Sequence, residues 1–402
     1  MNAPPSRRAG SRRRPELAEV VVEHRAELER RHGLTSTQHR ALSAIAACRT
    51  PALGGHVERC RACGASRVVY RSCRSRRCPK CQTLAKERWV QERCADLLPV
   101  PYFHVVFTLP HQLNGLLRRH ARLLLGALFR CASQTLREFA HDPRHLGAEL
   151  GVSAVLHTWS QTLSHHVHLH CLVTAGGLAL DGSRWIHSRN GFLFPVRALS
   201  RVFRGKYLAA LDEASRRGEI PAGALRGALR RQLRRRDWVV YCKPPFAGPE
   251  HLLAYLGRYT HRIAISNDRL VRFSDGNVAF SWRDRARGDV RRTMTLPAVE
   301  FLRRFVTHVL PDGFQRIRHY GLHANRRRRA ERARCLALLP VAASRPSHPA
   351  AAPVRERTAE TVLRVTGLDI SRCPSCGERA MRCERRLAPT RSQRGPPGRR
   401  PR

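Results

Sequence analysis

From Ser164 to Val173 the chain reads Ser-His-His-Val-His-Leu-His-Cys-Leu-Val, and this period of two constrains the fold more than any other feature. In an extended strand successive side chains point to opposite faces. His166, His168 and His170 therefore share one face, and Val167, Leu169 and Cys171 share the other. Burying the apolar face holds the imidazoles rigidly on the opposite side, where they can bind one divalent metal in common. The competing arrangement is a polar sheet face covered by water or a helix. Among 21 histidines a single His-x-His would mean little; three in strict alternation, ended by Gly176-Gly177, point to a site.

The surrounding pattern supplies the rest of a sheet. Tyr102 to Thr108 is aromatic and β-branched and stops at Pro110, so it reads as a strand. Further strands are expected at 152–158 and 238–242, and a hairpin at 269–282 around Asp275-Gly276. Helical patterns cover 16–31, 37–47, 82–98, 113–140 and 249–261. Strands separated by helices, with one hairpin, define an α+β fold in which helices pack on a sheet. Four segments are expected: a basic N-terminal segment with a helix (1–34), a cysteine-bearing domain (35–100), a catalytic domain (101–325), and an arginine-rich, largely disordered tail (326–402).

Cys60-Arg61-Ala62-Cys63-Gly64 and Cys78-Pro79-Lys80-Cys81 are two C-x2-C knuckles with fourteen residues between them. Two tight turns that each deliver a cysteine pair suit a structural, tetrahedral Zn²⁺ with ligands Cys60, Cys63, Cys78 and Cys81. Cys73 is a fifth candidate. Cys373 and Cys376 form a lone third knuckle, which cannot complete a site alone, with Cys383 downstream. Cys48, Cys94, Cys131, Cys171, Cys242 and Cys335 read as small apolar residues.

The formal charge is +45, and arginine carries nearly all of it because the chain has only four lysines. Guanidinium forks grip phosphate oxygens in bidentate fashion, so the expected partner is nucleic acid rather than a membrane surface. Candidate DNA contacts are Arg71, Arg76, Arg77 and Lys80 around the knuckles, with Arg258 and Arg262 farther on. No apolar stretch approaches the length of a membrane span, the first residues lack a secretory core, and C-x2-C pairs suit a reducing cytoplasm. No small-molecule cofactor is expected.

Two of seven tyrosines, Tyr255 and Tyr259, stand four apart in a segment opened by Pro249, so both phenols fall on one helix face. Alone, such a pair would read as filling a half-buried groove. Beside a metal-binding strand in so basic a chain, it suggests phosphoryl transfer to tyrosine, with a divalent ion offsetting charge at the scissile phosphate. Two phenols on one face allow two successive strand transfers.

These residues resemble the two-tyrosine, HUH-type transposases of rolling-circle insertion sequences (the IS-ninety-one group), over about Thr35 to Ala324. The likeness rests on Arg77-Cys78-Pro79-Lys80-Cys81-Gln82, Phe107-Thr108-Leu109-Pro110-His111, His168-Leu169-His170-Cys171-Leu172-Val173, Tyr255-Leu256-Gly257-Arg258-Tyr259-Thr260-His261-Arg262, and Phe314-Gln315-Arg316-Ile317-Arg318-His319-Tyr320-Gly321. Val167 stands where the family tends to have proline, and Arg77 where it often has histidine. The resemblance implies a central antiparallel sheet, His168 and His170 as a pair binding Mg²⁺ or Mn²⁺, and Tyr255 and Tyr259 as nucleophiles forming 5′-phosphotyrosine links. It also implies recognition of single-stranded or hairpin DNA at the element's ends. The third metal ligand stays open among His166, His251 and His261. A non-catalytic zinc-ribbon regulator would explain the cysteines and the charge, but would leave the histidine strand without work.

Overall fold

The structure is a computed structural model that describes residues 14–189, 191–225, 227–246, 253, 257, 264–284, 287–339 and 356–390. At its centre lies a six-stranded antiparallel sheet. Five strands follow the order β11 (Ile317–Gly321), β4 (Ala148–Trp159), β5 (His165–Ala179), β3 (Tyr102–Thr108) and β7 (Val240–Phe246), and β6 (Trp185–His187) pairs with β5. The strands foreseen at 102–108, at 152–158 and along the alternating histidines fall in this sheet, the latter two longer than the local pattern indicates, while the one foreseen at 238–242 begins two residues later and runs to Phe246.

The alternation along β5 holds. Val167, Leu169, Cys171 and Val173 enter the main apolar core with Val105, Phe107, Ala154 and Leu156 of the flanking strands. The helices α5 (Ala121–His141) and α6 (Val196–Arg216) cover that face, burying Leu128, Phe129, Phe203 and Tyr207 against it. The opposite face is divided. Val155 and Leu172 sit in a smaller apolar cluster with Trp89 of α3 (Thr83–Ala95) and Cys335 of α9 (Arg328–Leu338), while the histidines occupy the other end.

A second body supports that histidine end. The helices α1 (Leu17–His32), α2 (Ser36–Ala47) and α8 (Ala298–Thr307) share a core with the sheet β8 (Leu270–Ser274), β9 (Asn277–Asp284) and β10 (Val290–Pro297). Asp275 and Gly276 both take positive φ (53° and 67°), the two-residue turn the Asp-Gly pair foretells. Trp159, the last residue of β4, and Leu163, in the turn joining β4 to β5, insert into this core. Arg304 Nη1 donates to Thr162 O (3.2 Å), His308 Nε2 donates to Leu163 O (3.1 Å), and Arg269 donates to Gln161 O. The turn that precedes the histidines is therefore clamped at three consecutive carbonyls.

The C-terminal region departs from the sequence expectation. Instead of a structureless tail, residues 356–390 carry α10 (Thr358–Thr366) and β12 (Met381–Leu387), and β12 pairs antiparallel with β1 (Gly55–Cys60) in a sheet of order β12-β1-β2, where β2 is Ser66–Tyr70. The pattern Met-Arg-Cys-Glu-Arg-Arg-Leu hides this strand because five of its seven residues are exposed, leaving no apolar alternation to see.

Leu169 is fully buried beneath the histidine face. Leu169→Ala should lower unfolding free energy by about 2–5 kcal/mol, read by urea denaturation followed by circular dichroism. A loss under about 1 kcal/mol would contradict this core assignment.

Candidate metal centres

His168 on β5 stands directly opposite His157 on β4, and His170 opposite Val155. This register gathers His157, His168 and His170 into one cluster whose candidate ligand atoms all lie within 4.8 Å of one another. The ring centroids of His157 and His170 are 4.2 Å apart, and those of His168 and His170 4.8 Å. His166 is exposed and lies outside the cluster, its ring 4.8 Å from that of His168. Four residues of strand separate His166 from His170, about 13 Å along β5, and past His168 the register also shifts, three steps on β5 (His168 to His165) opposing two on β4 (His157 to Trp159). His157 is the residue that the sequence pattern conceals.

Neighbouring groups orient the rings. His168 Nδ1 lies 2.9 Å from the carbonyl oxygen of His166. A carbonyl only accepts, so Nδ1 donates and the lone pair sits on Nε2. His104 Nε2 and His170 Nδ1 share a 2.7 Å hydrogen bond, which leaves Nε2 as the nitrogen His170 can offer to the cluster. Partners that fix the second nitrogen in this way are typical of metal-ligating histidines. His157 stacks on Trp159 (5.3 Å, 15°), and Arg316 places its guanidinium 5.6 Å above the same indole.

Burial sets the charge state. His157 is held well below its ordinary pKa by desolvation and by the neighbouring His170 and His168. His104 is pushed down to about 4 by burial, with Lys243 adding to the effect. Burial lowers Arg316 to about 10, which leaves it cationic at neutral pH. Neutral imidazoles beside a retained cation can bind a divalent ion and an anionic oxygen together.

Tyr255, Tyr259, Arg258, Arg262, His251 and His261 lie outside the described residues. Between them, Leu253 and Gly257 are described as helical and buried. Gly257 runs so close to α3 that a Cβ there would stand 2.5 Å from Val90 Cγ2.

The cysteines correct the expected zinc grouping. Cys60, Cys63, Cys78 and Cys81 do not share one site. Cys78 and Cys81 cluster with Cys48 and Cys73, with Cys81 Sγ 3.0 Å from Cys48 Sγ and 3.4 Å from Cys73 Sγ. Cys60 and Cys63 face Cys373 and Cys376. Spacing cannot show this, because Cys48 closes α2 and Cys73 lies between the knuckles, while Cys373 and Cys376 arrive on a distant turn that precedes β12.

The candidate DNA contacts divide similarly. Arg71 and Arg76 are exposed. Arg77 instead donates to Leu310 O (3.0 Å) and pairs with Asp312, and Lys80 pairs with Glu16, so both tie the knuckle to the second body. Among the described residues no helix is long and apolar enough to cross a membrane.

A cysteine-bearing domain joined to a histidine-bearing sheet, under so large a positive charge, defines a metal-binding protein that works on a polyanion. Comparison with known proteins identifies which kind. A family model described as "Transposase zinc-binding domain" matches residues 20–109, and one described as "Putative transposase" matches 151–331. The chain is 47% identical over 378 residues to "Putative transposase y4qJ" of Sinorhizobium fredii, covering 91% of this chain and 94% of that one. It is 28% identical over 312 residues to "Transposase for insertion sequence element IS801" of Pseudomonas savastanoi pv. phaseolicola, covering 73% of this chain and 72% of that one. No solved structure matches. The chain belongs to the transposase family of the IS-ninety-one insertion sequences.

Burial lowers His104 and His319 to about 4, and His308 and His323 to about 3, from an ordinary 6.5. Below pH 6.5 the unfolded chain takes up protons at these positions while the folded chain does not, so acidification favours unfolding. The thermal midpoint should hold steady above neutrality and fall between about pH 6.5 and 5, before carboxylates titrate. A flat midpoint across that window in a pH series of thermal melts would contradict the burial of these rings.

Proposed function

We propose that this transposase nicks and rejoins single-stranded DNA at the ends of an insertion sequence, with Tyr255 and Tyr259 as nucleophiles. The His157, His168 and His170 cluster would hold a divalent ion beside the scissile phosphate. The observation that carries this reading is the cross-strand cluster itself: two of its imidazoles have their second nitrogen already engaged, and all three are held on a clamped sheet. Three ligands leave coordination positions open for phosphate oxygens. The donor set contains nitrogen only, which suits Mn²⁺ better than Mg²⁺, whose preference is for carboxylate and water oxygens. Once bound, such an ion supplies Lewis acidity at the phosphate.

The chain's own residues do the rest. Arg316, fixed over Trp159, offers a permanent positive charge beside the histidines, suited to a non-bridging phosphate oxygen. A tyrosine phenol loses its proton as its oxygen bonds to phosphorus. The bond to the 3′ oxygen breaks and that oxygen takes a proton, leaving a 5′-phosphotyrosine and a 3′-hydroxyl. The link conserves the phosphodiester's energy, so the reverse attack rejoins DNA. Exposed Arg71 and Arg76 on the zinc-binding domain would track the backbone of the DNA.

The test is covalent capture of a 3′-labelled single-stranded oligonucleotide bearing an element end, resolved by denaturing gel, since a 5′-phosphotyrosine link retains the fragment downstream of the cut. Wild-type protein in Mn²⁺ should form the adduct faster than in Mg²⁺. Tyr255→Phe combined with Tyr259→Phe should abolish it while single-strand binding survives. Loss of the bond that orients His170, in His104→Ala, should weaken Mn²⁺ affinity or cutting by about 10–100-fold. An adduct that persists in the double tyrosine variant, or cutting that survives EDTA, would overturn the proposal.

A further inference from the structure

The knuckle at Cys60 faces one that lies more than 300 residues later in the chain. Cys60 Sγ is 3.7 Å from Cys376 Sγ, and Cys63 Sγ is 3.7 Å from Cys373 Sγ. Four sulfurs around a tetrahedral zinc, each at about 2.3 Å, would be separated by about 3.8 Å along every edge. The spacing fits that geometry, and it is far too long for a disulfide, whose sulfurs lie about 2.05 Å apart.

The two turns also share a backbone design. Gly64 N donates to Cys60 O, and Gly377 N donates to Cys373 O (3.0 and 2.9 Å). Cys60 N donates to Ala65 O, and Cys373 N donates to Glu378 O (2.9 and 2.8 Å). Gly64 and Gly377 take φ of 75° and 77°, left-handed values that glycine adopts without penalty. At the later knuckle, Ser375 N also approaches Cys373 Sγ at 3.4 Å, a backbone donor aimed at the sulfur. Two copies of one C-x2-C-G turn, set face to face, build a tetrathiolate cage.

We propose that Cys60, Cys63, Cys373 and Cys376 form a second zinc site, separate from that of Cys48, Cys73, Cys78 and Cys81, which locks the C-terminal segment onto the N-terminal domain. The site sits where β1 and β12 run side by side, with Cys60 opposite Met381. Arg61 N donates to Ala380 O (3.0 Å) and continues that pairing into the knuckles. The metal thus fixes β12 as an edge strand beside β1 and holds exposed Arg382, Arg385 and Arg386 on the zinc-binding domain. Ligands gathered from both ends of the chain make metal loading depend on the whole chain having folded. None of this requires the strand-transfer chemistry.

Cysteine alkylation mapped by mass spectrometry on the purified full chain, with zinc measured by elemental analysis, tests the proposal. Cys63, Cys376 and Cys383 are all exposed, and Cys383 belongs to neither cluster. Under native conditions Cys383 should react with N-ethylmaleimide while Cys63 and Cys376 resist, and a chelator should expose them. Cys373→Ser with Cys376→Ser should lose one zinc per chain and make Cys60 and Cys63 reactive. The measure is this difference between variants, so zinc taken up by the histidine cluster does not distort it. If the double variant fails to fold, the wild-type alkylation pattern still decides. Cys63 and Cys376 reacting as fast as Cys383, or a double variant that folds with unchanged zinc, would overturn the second site.

Discussion

The pairing of β4 with β5 is the contact on which the rest of the molecule depends. It sets His157 against His168, and its alternation sends Val167, Leu169 and Cys171 into the main core. One register satisfies both demands. A slip by one residue would turn the histidines into that core and the apolar residues out of it. The surrounding parts hold this register: α5 and α6 press on the apolar side, and Arg269, Arg304 and His308 clamp the connecting turn. His104 then joins from β3 to orient His170.

Much of this was legible in the sequence because it is written in local periodicity. The strand β3 and the alternation of β5 follow from short patterns, and the β8–β9 hairpin from an Asp-Gly pair that tolerates positive φ. His157 was not legible. Its strand is buried along nearly its whole length, so one histidine in it carries no period of its own. It becomes a cluster member only through register with a strand eight residues or more away, and register is set by the fold. His166 shows the converse, since it keeps the period yet lies past the point where the register shifts.

The cysteines show the same limit more sharply. A C-x2-C turn announces a pair of ligands but never its partner pair. Proximity along the chain favoured Cys60 and Cys63 with Cys78 and Cys81, whereas the fold interposes Cys48 and Cys73 at one cluster and brings Cys373 and Cys376 to the other. That exchange makes the zinc-binding domain a junction. Its first cluster abuts α1 and α2, and its sheet receives the C-terminal strand β12.

The central claim is that His157, His168 and His170 together hold one divalent ion. Pulsed electron paramagnetic resonance of the Mn²⁺-loaded full chain counts nitrogen ligands directly, without requiring turnover. Coupling to three imidazole nitrogens is expected, reduced to two in His157→Ala and unchanged in His166→Ala. Coupling that survives intact in His157→Ala, or that drops in His166→Ala, would contradict the cross-strand cluster as the metal site.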